Sequence, residues 1–201
     1  MYVPTHFRQA DPAALTDFID RYNFAILVTA LDGSPFATHL PLLYEGHDNG
    51  VLLGHVARAN PHAKLIAEGA ESLAIFHGPH AYVSPTWYQD PKSVPTWNYT
   101  AVHVYGRPRA VEGARMMDII TRLTAKHEAA GSPYGVDANA DWLNNLARGI
   151  VAFEMPIDRI EGKFKLSQNR PEADRAEVAR RLAESESEGD RETARFMRGL
   201  L

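Results

Sequence analysis

The sequence predicts a mainly β protein with helices (α+β), folded as a small antiparallel β-barrel with helices packed outside it. Short apolar runs rich in β-forming residues recur along the chain, and turn residues such as Asp32-Gly33 separate them. About six antiparallel strands with short turns, together with a few helices, suggest this architecture. The 201 residues suffice for one domain with a substantial core.

The apolar patterns assign each element in turn. Asp11 is a suitable N-cap for a helix that begins at Pro12, and Asn60 can cap another that begins at Pro61. Asn49-Gly50 is a strong hairpin dipeptide. Strands are predicted over residues 24–31, 36–44, 51–56, 72–76, 98–111 and 150–160. Further helices are predicted over residues 112–130 and 140–148.

The C-terminal residues differ in composition from the rest of the chain. After Pro171 the sequence is helical in pattern and densely charged, and its apolar residues Val178, Leu182, Phe196 and Leu200 are too sparse for a full core face. We therefore predict a barrel domain over residues 1–170 and a helical extension over residues 171–201. The extension should lie on the barrel or reach a partner subunit.

Composition excludes several functional classes. The net charge of −4 argues against a protein that coats nucleic acid, and the absence of Cys excludes disulfides, thiolate metal sites and Cys nucleophiles. No apolar run approaches the roughly 20 residues of a membrane span, and no signal peptide is visible, so a cytoplasmic protein is expected. HExxH, GxSxG, Rossmann and P-loop patterns are absent, and neither a metal site nor a catalytic residue is predicted.

Residues 77–106 are unusually rich in aromatic side chains and proline. They include Trp87, Trp97 and four tyrosines, and four prolines stiffen the backbone. Such a segment suits a wall against a flat ligand or against another subunit. The alternative is an aromatic hairpin that simply covers a core. We predict a homodimer whose interface buries Trp87 and Trp97.

Two polar segments are candidate ligand sites. In residues 55–64, Arg58 and Lys64 flank a predicted helix start, which favours an anion such as phosphate; the alternative is an exposed turn with two solvated charges. Residues 162–170 carry cations followed by hydrogen-bonding side chains, which could contact the edge of a heteroaromatic ring. A solvated turn is the alternative there.

Several motifs, in order, resemble one known family. SPTWY (84–88), VPTWNY (94–99), AVHVYG (101–106) and KLSQNR (165–170), after MYVPTHF (1–7), are similar to the PaiB-type proteins, bacterial FMN-binding negative regulators of transcription. The resemblance implies an FMN-binding split β-barrel, related to pyridoxamine 5′-phosphate oxidase and flavin reductases. It also implies a homodimer with FMN at the subunit interface.

The resemblance further implies which residues bind the cofactor. Arg58 and Lys64 would hold the FMN phosphate, with His55 nearby. The segment Trp97-Asn98-Tyr99 would line the ring edge or come from the other subunit. Three residues of the last motif would close the site: Lys165, Ser167 and Gln168.

Three functions remain open at this stage. The first is an FMN-binding dimeric regulator, and the second is a flavin-dependent oxidoreductase acting on a small molecule, for which no acid or base stands out. The third is a haem-binding split barrel, because the chain has nine His. No helix-turn-helix is visible. A dimer could assemble a basic patch from Arg107, Arg109, Arg115, Arg122 and Lys126, so DNA binding is expected to be weak or indirect.

Overall fold

The computed structural model describes residues 1–46, 50–130, 132, 134, 145 and 147–199. This part of the chain forms nine strands and five α-helices. The strands are β1 Arg8–Gln9, β2 Phe24–Leu31, β3 Ser34–Pro41, β4 Leu43–Glu45, β5 Val51–Ala57, β6 Ser72–Val83, β7 Thr96–Gly106, β8 Arg109–Val111 and β9 Ile150–Lys165. The helices are α1 Pro12–Arg21, α2 His62–Ala67, α3 Gly113–His127, α4 Glu172–Ala183 and α5 Glu188–Met197. Two short 3-10 helices cover Thr5–Phe7 and Pro85–Trp87. No described helix has both the length and the apolar character needed to cross a membrane.

The strands form an antiparallel sheet whose path is not closed within the described residues. Its strand order is β3-β2-β6-β7-β9-β5-β4, and both β1 and β8 pair with β9. The β2–β3 hairpin turns at Asp32 and Gly33, whose φ angles of 51° and 80° are both positive. The predicted turn at Asp32-Gly33 is confirmed, and positive φ at both central residues matches the right-handed twist of the strands.

The predicted strands are present, but several of their bounds differ. The predicted strand 36–44 is two strands, separated at Leu42, whose N–H donates to the Asn23 carbonyl oxygen at 2.8 Å. The predicted strand 98–111 is interrupted before β8, where Pro108 lacks an N–H for the ladder. β6 and β9 run further than predicted, to Val83 and Lys165. The predicted turn at Asn49 and most of the predicted helix 140–148 lie outside the described residues.

The chain divides into two compact units. Unit 1 comprises Met1–Leu15, His77–Val102 and Glu161–Leu201, and unit 2 comprises Thr16–Phe76 and His103–Ile160. In unit 1, side chains of α4 and α5 pack on residues of β6 and of the loop that follows it. This buried cluster consists of Ala81, Val83, Tyr88, Val178, Leu182 and Ala194. The predicted division into residues 1–170 and 171–201 remains a prediction.

Apolar contacts and ion pairs both hold α3 in unit 2. Its residues Ile119 and Leu123 pack against β4, β5 and β9. Arg115 donates to Glu45 at 2.9 Å and also to Glu154. These two bonds join α3 to β4 and to β9. Hydrogen bonds from Arg115 and then Arg122 lower the pKa of Glu45, so this carboxyl stays ionised.

Candidate functional site

Residues 55–64 connect the end of β5 to the start of α2. The Arg58 N–H donates to the Gly149 carbonyl oxygen at 2.8 Å, which fixes the turn to the chain before β9. The Asn60 side-chain oxygen accepts from the His62 N–H at 2.9 Å and so supports the helix start, although α2 begins at His62, with Pro61 as its N-cap residue, and not at Pro61 as predicted. Because α2 has only six residues, an anion held here would depend mainly on side chains.

A buried chain of hydrogen bonds joins this turn to strands β2 and β3. His62 is fully buried, with Nε2 3.1 Å from Thr29 Oγ1 and Nδ1 2.7 Å from Thr38 Oγ1. Thr29 Oγ1 lies 2.7 Å from Ser72 Oγ, whose hydroxyl donates to a backbone carbonyl. Because the Ser72 hydroxyl donates to that carbonyl, it accepts from the Thr29 hydroxyl. Thr29 in turn accepts from His62 Nε2–H. His62 Nδ1 is left to accept from Thr38, and Thr38 accepts from Asn60 at 3.0 Å.

The three predicted phosphate-site residues have different environments. Arg58 donates through Nε to the Arg148 carbonyl oxygen at 2.7 Å and through Nη2 to that of Ile150 at 2.8 Å, and neither bond uses Nη1. The Lys64 side chain is 75% exposed and only 3.7 Å from the carboxylate of Glu68.

His55 carries an unsatisfied ring nitrogen. Its Nδ1 is buried and has no partner among the described residues, and burial lowers the pKa of His55, which keeps the ring neutral. The three residues thus offer a fixed guanidinium, a solvated ammonium and an unpaired ring nitrogen, and their assignment to a phosphate stays a prediction. Arg58 also lines a cavity of about 230 Å³ in unit 2 whose other walls are mostly apolar.

The segment Trp97-Asn98-Tyr99 does not present its three side chains to one side. These residues alternate along β7, so Asn98 is fully buried while Trp97 on the opposite face is 52% exposed. Trp97 lies in an exposed aromatic cluster with Tyr82 and His80, at ring-centroid distances of 5.7 and 6.0 Å. A ligand touching the exposed face of β7 would therefore meet Trp97 and Tyr99, and one on the buried face would meet Asn98.

Two of the predicted motifs meet in unit 1. Asn98 Nδ2 donates to Ser167 Oγ at 3.0 Å, and Lys165 Nζ donates to the Trp97 carbonyl oxygen and to Thr96 Oγ1. Gln168, by contrast, uses both ends of its carboxamide within its own turn. Its Oε1 accepts from the Leu166 N–H at 2.7 Å and its Nε2 donates to a carbonyl oxygen in β9.

A pocket of about 110 Å³ lies where these motifs meet; we call it the Tyr88 pocket. The Arg170 guanidinium lies 4.3 Å from the centroid of the Tyr88 ring. Ser167 adopts φ of 65°, a left-handed conformation that is uncommon outside glycine. The lining includes Tyr88, Thr96, Asn98, Lys165, Ser167 and Arg170.

The structure thus brings some predicted residues together and separates others. Asn98, Lys165 and Ser167 form one hydrogen-bonded group in unit 1, whereas His55, Arg58 and Lys64 belong to unit 2. Sequence reasoning missed the His62 chain, because its members are far apart along the sequence. It also gave Tyr88 no role, although SPTWY and KLSQNR were singled out. Among the described residues, no group of three or more His, Asp or Glu could hold a metal ion.

Comparison with known proteins identifies the family. Residues 1–159 match the family model described as "Putative FMN-binding domain". The chain is 34% identical over 204 residues to "Protease synthase and sporulation protein PAI 2" of Bacillus subtilis (strain 168), covering 100% of this chain and 98% of that protein. It is also 30% identical over 219 residues to the uncharacterized protein AN0679 of Emericella nidulans, covering 87% of each chain.

Solved structures share the fold at low sequence identity. The flavocytochrome Anf3 from Azotobacter vinelandii matches with a TM-score of 0.64 at 15% identity, over 87% of this chain and 78% of that one. The conserved hypothetical protein Rv2991 from Mycobacterium tuberculosis matches with a TM-score of 0.58 at 13% identity, over 85% and 94%. The sheet and these matches confirm the predicted split-barrel fold class. Together with the family model and the full-length relative, they show that the chain belongs to the PaiB-type family of FMN-binding domain proteins.

Proposed function

We propose that this protein is an FMN-binding homodimer of the PaiB type that acts as a negative regulator of transcription. The observation that carries the proposal is the match of residues 1–159 to an FMN-binding domain family, with a relative 34% identical along the whole chain. The unpaired ring nitrogen of His55 supports it, because a buried polar atom without a partner is rare unless a ligand or water completes it.

We assign a role in FMN binding to each residue of the prediction. Arg58 and Lys64 would neutralise the FMN phosphate, and His55 would offer a hydrogen-bonding ring atom. Trp97 and Tyr99 would supply aromatic surface for the flavin ring, while Asn98, Lys165, Ser167 and Gln168 would close the site. When bound, FMN supplies hydride-transfer chemistry, and the chain contributes position and electrostatics.

Titration of flavin-free protein with FMN and with riboflavin tests the phosphate assignment. Arg58→Gln and Lys64→Gln should each weaken FMN binding by about 1–3 kcal/mol, the range for hydrogen bonds to charged groups. The effect on riboflavin should be smaller, because riboflavin lacks the phosphate. Flavin fluorescence quenching gives both affinities.

Matched controls separate charge from structure. Glu68→Gln removes the same exposed ion pair as Lys64→Gln but keeps the cation, so FMN affinity should hold or rise. Arg58→Lys keeps the charge but loses the two carbonyl bonds of Arg58. Equal losses for both flavins would show that these residues do not hold the phosphate. An absorbance spectrum of the purified protein showing haem rather than flavin would contradict the cofactor itself.

A further inference from the structure

Two exposed histidines, His77 and His80, lie side by side on β6, and we call them the His77–His80 pair. Their ring centroids are 5.0 Å apart, at an interplanar angle of 66°. In a regular strand, residues three apart point to opposite faces of the sheet. Here Gly78 and Pro79 are both buried, so the alternation along β6 shifts by one residue and brings both histidines to the same exposed face.

The backbone between the two histidines is held from its inner side. Pro79 has a fixed φ angle, and its carbonyl oxygen accepts from the hydroxyl of Thr100, a fully buried residue of β7, at 3.4 Å. The sheet therefore sets the separation of the two Cα atoms. A spacing that the backbone already fixes lowers the entropic cost when both rings bind one ligand.

Both imidazole rings are free to bind a ligand. In the part of the chain that the structure describes, neither ring has a hydrogen-bond partner or an ion pair. Their contacts are with each other and, for His80, with the Trp97 ring at a centroid distance of 6.0 Å. A neutral imidazole offers a nitrogen lone pair, and histidine is the commonest metal ligand among the side chains.

The distance between the two rings suits a single metal ion. Transition-metal ions bind an imidazole nitrogen at about 2.0–2.1 Å, so two rings on neighbouring positions of one ion, at angles of about 90–110°, have centroids about 4.5–5.2 Å apart. The observed 5.0 Å lies within this range. Imidazole favours Cu²⁺, Ni²⁺ and Zn²⁺, whereas Mg²⁺ and Ca²⁺ prefer oxygen ligands.

We propose that the His77–His80 pair binds one divalent transition-metal ion, with Cu²⁺ held more tightly than Zn²⁺. Among the described residues, no third His, Asp or Glu joins the pair to form a larger group. Because structural zinc sites take four protein ligands, two ligands fit an exchangeable ion whose other positions are available to water or to a donor atom of a small molecule. Both histidines belong to one strand in unit 1, so the site requires neither bound flavin nor the proposed dimer.

Calorimetric titration of the untagged full chain with Cu²⁺ and with Zn²⁺ tests the proposal, as purified and after removal of any flavin. We expect one ion per chain, with a Kd for Cu²⁺ tighter than about 100 μM. His77→Gln and His80→Gln should each weaken binding about tenfold or more, because each removes one of two ligands. His39→Gln, at an exposed histidine on β3 in unit 2, is the matched control and should bind Cu²⁺ as the wild-type protein does.

Spectroscopy identifies the ligands directly. With one equivalent of Cu²⁺, the electron paramagnetic resonance spectrum of the wild-type protein should show coupling to two imidazole nitrogens, and both variants should lose this signature. Bound Cu²⁺ should also quench the fluorescence of Trp97, whose ring lies beside His80.

Three results would overturn the assignment. The first is a Kd for Cu²⁺ weaker than about 100 μM. The second is equal affinity in the wild-type protein and in both variants, which would indicate an adventitious ion only. The third is a wild-type spectrum without two nitrogen ligands, which decides the question even if a variant folds poorly. None of these measurements depends on FMN, so the proposed function is tested separately.

Discussion

The protonation state of His62 affects the hydrogen bonds that hold the turn carrying Arg58. It is neutral in the folded protein, because burial lowers its pKa below the ordinary value of about 6.5. A proton added at Nδ1 would face Thr38, which now donates to that atom, so the hydrogen-bond chain through Asn60 would have to rearrange. Acid should therefore loosen the turn as well as weaken the fold.

The stability of the protein should fall between pH 7 and pH 5 partly because of His62. A folded-state pKa below the unfolded value contributes stability that is fully present above about pH 6.5 and is lost as pH falls through the folded pKa. His62→Gln should lower the free energy of unfolding at pH 7.5 by about 1–3 kcal/mol, since it breaks a buried network. It should also flatten the pH dependence, measured by thermal unfolding from pH 7.5 to 5.

The neighbouring His39 provides the control for that measurement. His39 lies on β3 and is exposed, so His39→Gln should leave the free energy of unfolding unchanged. Equal pH slopes for the wild-type protein and His62→Gln would mean that other titrating groups, such as His55 and His77, cause the acid sensitivity.

The candidate site could be predicted from sequence only where its residues lie in one motif. Arg58, Asn60 and Lys64 are close along the chain, so their common turn and the contact of Asn60 with the start of α2 follow from local rules. The bond between Asn98 and Ser167 joins residues in β7 and beyond β9, and no local rule links them. The unsatisfied hydroxyl of Tyr88 is likewise a property of packing, which a single sequence does not specify.

At the scale of elements, the fold was predictable where periodicity was clear. β2 matches its predicted bounds because an apolar run and a hairpin turn both define it. β6 and β9 were predicted too short, because their later residues include histidine, proline or charged side chains, which are not typical of strands. Pairing with neighbouring strands outweighed those local preferences.

The C-terminal helices contribute more to the packing of unit 1 than their few apolar residues suggested. Val178 and Leu182 are almost fully buried against β6 residues such as Val83. Truncation after Arg170 should lower the free energy of unfolding by several kcal/mol, because each buried Val or Leu contributes about 1.5–3 kcal/mol. Urea denaturation of the truncated and full chains measures the difference.

A point substitution makes the same test without removing a segment. Leu182→Ala should cost about 2–5 kcal/mol, whereas Arg181→Ala, on the exposed side of the same helix, should cost much less. A truncated chain as stable as the full one would instead establish residues 1–170 as a domain that folds by itself.

At the scale of the whole molecule, we expect a homodimer in which the exposed cluster around Trp97 is covered. Trp87 is already half-buried against the cluster formed with α4 and α5. Trp97 and Tyr82, which belong to the same aromatic segment, are exposed and can contact a partner. Trp97→Ala with Tyr82→Ala should shift the protein to a monomer in sedimentation velocity at micromolar concentration. Phe24→Ala, at an exposed aromatic residue of unit 2, should not. A monomeric wild-type protein would rule out this dimer.

Charge on the whole molecule bears on the proposed regulation of transcription. Of the basic residues considered for a DNA-binding patch, Arg115 and Arg122 pair with Glu45, and Lys126 pairs with Asp20. With a net charge of −4, direct DNA binding should be weak and should fall steeply with salt, and we expect the proposed regulation to be indirect. Gel-shift assays at two salt concentrations measure this, and a footprint with nanomolar affinity near physiological salt would refute it.

The pairing of β1 with the end of β9 has a consequence for biosynthesis. Arg8 is synthesised long before its strand partner Lys163, because all of β2 to β8 lies between them in the chain. At translation rates of roughly 5–20 residues per second, β1 waits on the order of ten seconds before it can pair. During that interval the nascent N-terminal segment has no sheet to join and is accessible to chaperones and proteases.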